Sequence, residues 1–242
     1  MASIYVSVFG DWRDAPALSC DVPFTLDTPD QTLRVDVSTI GRRSGALDDR
    51  QCDRVLSARG VLDAELTFGR PGDHGQAQRA AEFMAAALAA GGYAAYIETS
   101  ARVLGPRALE RVELDDRRTL MHLFVQVLMD AAEVATEGMQ CFDLADVVAR
   151  HDGARSTPRG EDEDDPLPGD YDDADAAQAA CFGFAARMVC DRWRPTSGAV
   201  FRASESAPWY VAVHEPAPLT AGDDDDADPF VNPRGRWVLT RR

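Results

Sequence analysis

The sequence contains no lysine, so all 25 of its basic residues are arginine. Arginine suits paired carboxylates, but an alanine- and arginine-rich chain without lysine is more typical of a GC-rich genome than of a functional demand. The sequence also lacks any stripe of basic residues that would contact phosphates. This absence excludes nucleic acid and an anionic membrane as ordinary partners.

Paired cysteine motifs and targeting segments are also missing. The five cysteines are an odd number without a Cys-x-x-Cys pair or a histidine spacing typical of zinc, so we expect reduced and mostly buried thiols. The first residues have neither a basic region nor a long apolar core, and the apolar window Met84–Ile97 is too short to span a bilayer. A soluble, cytoplasmic protein is the simplest prediction.

Catalytic signatures are absent as well. There is no Gly-x-Ser-x-Gly element, Walker spacing, dinucleotide fingerprint or EF-hand order. The segment 41–45 contains two arginines, and we expect it to form a solvated turn, not a phosphate site. A catalytic pair of Cys190 and His214 is only a weak possibility from the sequence. The four histidines are scattered without helical metal spacing. We therefore expect no catalytic residues, no metal site and no cofactor.

Negative charge is abundant but local. The net charge is −16, and fourteen of the surplus acids lie in two short runs. A partner-binding role for these runs would require a basic protein partner, because complementary charge speeds encounter and selects partners. The candidate partner-binding residues are Glu161, Asp162, Glu163, Asp164 and Asp165 in the first run and Asp223, Asp224, Asp225 and Asp226 in the second.

The most informative stretch is Thr119–Val148, in which two apolar runs flank a polar turn. Around Leu123–Met129 the residues on both sides of an extended chain are largely apolar, which favours a strand covered on both faces. A helix of two or three turns is the alternative. The second half, TEGMQCFDLADVV, resembles the bacterial family catalogued as domain of unknown function 4261. That family has a Thr-x-Gly-Met element and a Phe-Gly-Leu-Pro-like turn, where this chain has Asp143 and Ala145 in place of the glycine and proline.

The resemblance extends weakly from about Leu62 to the C-terminus, and it implies a cytoplasmic bacterial α+β domain without implying a reaction. Within its motif we expect Gly138 to occupy a turn and Met139 and Phe142 to anchor the core. Asp146 lies between apolar residues and needs a hydrogen-bonding partner, for which arginine is the expected candidate.

Periodicity along the chain predicts an α+β fold in a single domain, 1–242, with a mostly antiparallel sheet and two main helices. Expected strands run through Ile4–Val8, Leu33–Val37 and Leu62–Phe68, because apolar and polar residues alternate there. We expect the main helices at Gly75–Ala90 and Asp173–Arg192, the second with an inward stripe of Ala177, Cys181, Phe184 and Met188. A short helix at Asp48–Arg59 is expected to turn Cys52, Val55 and Leu56 inward. The remaining expected elements are a helix at Pro106–Glu113, strands at Tyr93–Thr99, Val200–Ala203, Trp209–His214 and Trp237–Thr240, and acidic loops at about 151–172 and 221–229.

Three functions remain open at this point. The favoured one is a non-catalytic protein-binding module, such as a bacterial immunity or inhibitor protein that binds a basic toxin or effector. The second is an enzyme or small-ligand-binding protein whose site is assembled from distant residues. In the third, the acidic runs only increase solubility.

Overall fold

The computed structural model describes residues 3–68, 75–110, 112–130, 132–150, 173–217 and 232–242. The chain divides into two compact units: unit 1 comprises 1–124 with Gln140–Asp143, and unit 2 comprises Val125–Met139 with Leu144–Arg242. The α+β class is confirmed. The strands form two sheets, one in each unit, instead of the single sheet that we expected.

Unit 1 is built on a five-stranded antiparallel sheet in the order β2-β3-β1-β4-β5. The central strand β1 pairs along its whole length with β3, so that Ile4 lies opposite Leu66 and Val8 opposite Leu62. The strands are β1 (Ser3–Gly10), β2 (Thr25–Asp27), β3 (Gly60–Thr67), β4 (Ala94–Ile97) and β5 (Arg102–Leu104), and the helices are α1 (Gln31–Arg43), α2 (Asp49–Leu56), α3 (Gly75–Ala89) and α4 (Arg117–Phe124).

The strand predicted at Leu33–Val37 is wrong, because these residues belong to α1. Asp30 caps this helix by accepting a hydrogen bond from the backbone N–H of Leu33 at 2.7 Å. Leu33, Val37 and Ile40 then fall at helical spacing and pack in the unit 1 core. Over this short stretch the apolar residues fit both the two-residue period of a strand and the 3.6-residue period of a helix, and the Asp30 cap favours the helix.

Helix α2 begins with a reciprocal capping box between Asp48 and Gln51, and it buries Cys52 and Val55 as expected. Leu56 was expected to face inward as well, but it is exposed. The helix predicted at Gly75–Ala90 is confirmed as α3, whose buried alanines allow close approach to the sheet. The helix predicted from Pro106 to Glu113 is reduced to one 3-10 turn, Pro106–Ala108.

Unit 2 contains a six-stranded sheet in the order β6-β7-β8-β11-β10-β9, in which only the β8–β11 pair is parallel. The strand predicted around Leu123–Met129 is half right, because residues up to Phe124 complete α4 and the strand starts at Gln126. It is an edge strand, not a strand covered on both faces. The strands are β6 (Gln126–Met129), β7 (Glu133–Glu137), β8 (Asp146–Arg150), β9 (Ala199–Phe201), β10 (Tyr210–Glu215) and β11 (Arg236–Arg241), and the helix is α5 (Asp173–Val189).

Helix α5 packs on β7 and β8 and supplies the core of unit 2. Its predicted inward stripe is confirmed, since Ala177, Cys181, Phe184 and Met188 are all buried. The ring of Phe184 lies 4.9 to 5.9 Å from the rings of Trp193, Phe201 and Trp237, mostly in edge or tilted orientations. Among the described residues, no helix has the length and apolar character needed to cross a membrane.

Candidate partner-binding groove

Both groups of predicted partner-binding residues, Glu161–Asp165 and Asp223–Asp226, lie outside the described residues. Their places in the chain are nevertheless clear from the elements around them. The first group falls between β8 and α5, and the second between β10 and β11. Among the described residues, β11 pairs with both β8 and β10, parallel to the first and antiparallel to the second. The second acidic run therefore connects two strands that are neighbours in the sheet.

Unit 2 has a cavity of about 600 Å³ beside α5, which we call the α5 groove. One wall is the outward face of the N-terminal half of α5. The other wall is the connection between β9 and β10, and β6 contributes one residue. The lining residues are Val127, Asp175, Ala176, Gln178, Ala179, Phe182, Gly183, Ala203, Ser204, Ser206, Ala207 and Pro208.

Most of the residues that line the α5 groove are apolar or glycine, and four are polar. Ala179 and Gly183 present little side chain on the helix wall, and Phe182 adds an aromatic surface. A Cβ on Gly183 would lie 3.4 Å from Phe201 and 3.5 Å from Ala203, which are ordinary packing distances. Asp175 is exposed at the N-terminal end of this wall. The site is a concave apolar surface with few polar groups, as ligand and peptide sites usually are.

Exposed apolar side chains stand next to the groove-lining residues in the sequence. Leu128 and Met129 follow Val127 on the edge strand and are 42% and 50% exposed, and Trp209 follows Pro208 and is 46% exposed. The guanidinium carbon of Arg202 lies over the Trp209 ring, 4.7 Å from its centroid. This cation–π contact orients the indole ring at the surface.

Asp146 is held by a hydrogen-bond network at the start of β8, and its partner is not the arginine that we expected. Its Oδ2 accepts a hydrogen bond from Asn232 Nδ2 at 2.7 Å. Its Oδ1 accepts from the Met139 N–H at 3.2 Å and from the Thr136 hydroxyl at 3.4 Å. Asn232 also donates to the Leu144 carbonyl oxygen at 2.9 Å. Neutral donors therefore satisfy this carboxylate, and they join the β7–β8 connection to the residues before β11.

Burial nevertheless dominates the ionisation of Asp146. It raises the pKa of the carboxyl group to about 6, although the three hydrogen-bond donors oppose the shift. Burial, with the nearby Asp146 charge, also raises the pKa of the Cys181 thiol to about 12. Cys181 is therefore a protonated core thiol that donates to the Val147 carbonyl oxygen at 3.0 Å, not a nucleophile.

The rest of the resemblance motif behaves as expected. Gly138 adopts a positive φ of 95°, which is a turn conformation that glycine adopts readily. Met139 and Phe142 are fully buried. Asp143, which replaces the glycine of the family pattern, also has a positive φ, of 55°. Aspartate is among the residues that tolerate this region.

Unit 1 has an acidic surface of its own on the outer half of its sheet, with a shallow cavity of about 470 Å³. Ser7 donates a hydrogen bond to Asp63 at 2.5 Å, and Tyr5 donates to Glu65 at 2.9 Å. Burial raises the pKa of Asp63, and burial with the Asp63 charge raises the pKa of Glu98. These hydroxyls and carboxylates satisfy one another across the β1–β3 pair.

Other candidate sites receive structural explanations. The predicted turn at 41–45 begins inside α1, where Arg42 forms an ion pair with Asp49 at 3.2 Å. The His214 ring packs 4.9 Å from Trp237, and its Nε2 lies 3.0 Å from the Arg234 carbonyl oxygen. Within the described ranges, no three His, Cys, Asp or Glu residues are grouped to hold a metal ion.

Sequence reasoning missed the α5 groove because its walls come from separate segments, 175–183 and 203–208, that are rich in small residues and carry no motif. It also missed Asn232, although one signal was available, since Asn232 is the only asparagine in the chain. Comparison of the chain with protein-family models, with curated proteins and with solved structures found no match.

Proposed function

We propose that this protein is a non-catalytic binding module that recognises a basic protein partner, in the manner of a bacterial immunity or inhibitor protein acting in the cytoplasm. One observation carries the proposal: fourteen surplus acids are concentrated in two short segments of the unit 2 sequence, 161–175 and 223–228, of which the first runs into the start of α5 and the second lies between the paired strands β10 and β11. Like charges so close in the sequence repel one another, so a role in recognition would explain why they are kept.

Electrostatics supports this role. Two dense acidic runs on one unit would attract a basic surface at long range and repel acidic competitors, which raises association rates and selectivity. The resemblance to domain of unknown function 4261 remains a prediction, and it is compatible with this role because it implies no reaction.

The chemistry of the described residues also favours binding over catalysis. The two most perturbed groups, Asp146 and Cys181, are engaged in structural hydrogen bonds within unit 2. Perturbed groups at a catalytic site usually line a cleft, whereas neither of these residues lines the α5 groove. The groove instead offers apolar surface, which is the usual contribution of an interface core.

The test is affinity capture from native bacterial lysate at low salt, followed by binding measurements with the purified captured protein. The variant changes Glu161, Asp162, Glu163, Asp164 and Asp165 to Ser. Its matched control changes the exposed acids Asp14, Asp21, Asp53, Glu110 and Glu113 of unit 1 to Ser and so removes the same charge elsewhere.

We expect one basic protein to bind the wild type and the unit 1 control with similar affinity and to lose affinity for the 161–165 variant. Affinity should also fall steeply with salt, because screening weakens exposed charge pairs. Equal binding by the two variants would refute a specific role for the first run. Failure to capture any basic protein would favour a solubilising role for both runs.

A further inference from the structure

We propose that the α5 groove is the docking site for an apolar segment of that partner, carrying arginine or lysine beside its apolar side chains. This inference rests on the proposed function and adds a contact surface and the chemistry of its occupant. The surface lies wholly among described residues of unit 2: the outward face of α5, β6 and the connection between β9 and β10.

The volume and lining of the groove define the apolar part of the occupant. About 600 Å³ accommodates several side chains but not a whole folded domain. Ala179 is exposed and presents only a methyl group on the helix wall, so an incoming chain can approach α5 closely there. A segment with large aliphatic or aromatic side chains would complete this surface, as anchor residues do at the centre of interfaces.

The surroundings of the groove favour a protein segment over a small apolar molecule. Five of the eight large hydrophobic side chains exposed in the described residues belong to unit 2. Trp209 directly follows the groove-lining Pro208, and Met129 lies two residues after Val127 on β6, the spacing that places side chains on the same face of a strand. Exposed aromatic and methionine side chains are enriched at protein interfaces. The apolar surface therefore extends beyond the cavity, as a larger partner requires.

Charge defines the second property of the occupant. Asp175 lines the groove and Glu205 is exposed in the β9–β10 connection, and neither carboxylate forms an ion pair with a described residue. Arg202, which precedes the groove-lining Ala203, is occupied over Trp209 and donates to the Glu205 carbonyl oxygen. A basic residue on the partner would complement these two carboxylates, whereas an acidic segment would be repelled.

The experiment selects binders to the full chain from a random-sequence peptide library displayed on phage and synthesises the enriched peptides. Their affinities are measured for the wild type and for two groove-filling variants, Ala179→Trp on the helix wall and Ser206→Trp on the opposite wall. Ala89→Trp, at an exposed alanine of α3 in unit 1, is the matched control. Circular dichroism checks that each variant is folded, and a variant that does not fold is replaced by the other.

We expect enriched peptides to combine apolar residues with arginine or lysine and to shift the amide resonances of α5 and residues 203–208. Each groove-filling variant should bind them at least about ten-fold more weakly, the effect typical of blocking an interface anchor, and the control should bind as the wild type does. Asp175→Arg should weaken binding several-fold, most strongly at low salt.

Three results would overturn the inference: no enrichment, enriched peptides without basic residues, or equal binding to Ala179→Trp and wild type. Binding of dodecanoate in the groove without any peptide enrichment would also overturn it and would identify a small-ligand pocket. The captured partner separates the two proposals. If it loses affinity for the 161–165 variant but not for the groove-filling variants, the docking site is wrong and the proposed function stands. If the groove-filling variants lose affinity for the captured partner and the 161–165 variant does not, the docking site stands and the proposed role of the first acidic run is wrong.

Discussion

Replacing Asp146 by Asn should remove a pH dependence of stability that can be calculated from the structure. Burial raises the pKa of Asp146 from its ordinary value of 3.8 to about 6 in the folded protein. The folded state therefore holds this proton more tightly than the unfolded chain does. The resulting stabilisation is fully present below pH 3.8 and is lost as the pH rises through about 6. A shift of roughly two units corresponds to about 3 kcal/mol at 1.36 kcal/mol per unit.

The assay is urea unfolding of wild type and Asp146→Asn, followed by tryptophan fluorescence across this pH range. Three of the four tryptophans, Trp193, Trp209 and Trp237, belong to unit 2 and report on its unfolding. Asparagine also changes the hydrogen bonds to Asn232 and Met139, but that offset does not depend on pH. The stability of the variant relative to wild type should therefore increase by about 3 kcal/mol from about pH 4 to about pH 7.

A difference between the two proteins that stays constant over this range would refute the reasoning, because it would mean that Asp146 ionises as it does in the unfolded chain. Direct titration of the Asp146 carboxyl carbon by NMR provides an independent check. Its midpoint should lie near 6, and a midpoint near 3.8 would contradict burial as the dominant cause.

Three further predictions concern the fold. Phe184→Ala should lower the free energy of unfolding of unit 2 by about 3 to 5 kcal/mol in urea denaturation, since its fully buried ring sits among three other aromatic rings; a loss under about 1 kcal/mol would contradict that packing. Gly235→Ala should lower the melting temperature more than Gly198→Ala, because both glycines have positive φ but only at Gly235 would a Cβ collide with the Glu215 carbonyl oxygen; equal losses would count against the collision. Asp48→Ala should cost about 1 kcal/mol and speed amide hydrogen exchange in α2, because the capping box is lost, and unchanged exchange would argue that the cap contributes little.

Periodicity predicted the elements whose apolar pattern fits one period only. The α3 and α5 stripes and the β1 and β3 strands are present, and in each of them the apolar residues of the sequence recur at one period. The same reasoning failed at Leu33–Val37, where three apolar residues fit either a strand or a helix. There the helix is fixed by the Asp30 cap and by the continuation of the helical spacing through Ile40 and Gly41. A pattern of three residues includes none of these.

The boundary at Phe124 was hidden for a different reason. The run from Leu120 to Met129 is almost uniformly apolar, so no period distinguishes the helical half from the strand. The division of the strands into two sheets was also beyond the sequence, because sheet membership depends on pairing between distant segments.

The candidate site shows the same limit. Charge density identified two acidic runs, since it is a property of consecutive residues. The α5 groove depends on small residues whose spacing along the chain carries no signal, and the network at Asp146 depends on Asn232, 86 residues away. The expected arginine was chosen by charge, whereas the structure uses neutral donors and leaves burial to raise the pKa of the carboxyl group.

The most direct test of partner recognition is the salt dependence of the affinity between the purified captured partner and three proteins: the wild type, the 161–165 serine variant and the unit 1 charge control. We predict that the wild type and the control lose affinity steeply and in parallel as salt rises, and that the 161–165 variant binds weakly with a shallow dependence. Three superimposable curves would contradict the proposal that this acidic run recognises the partner.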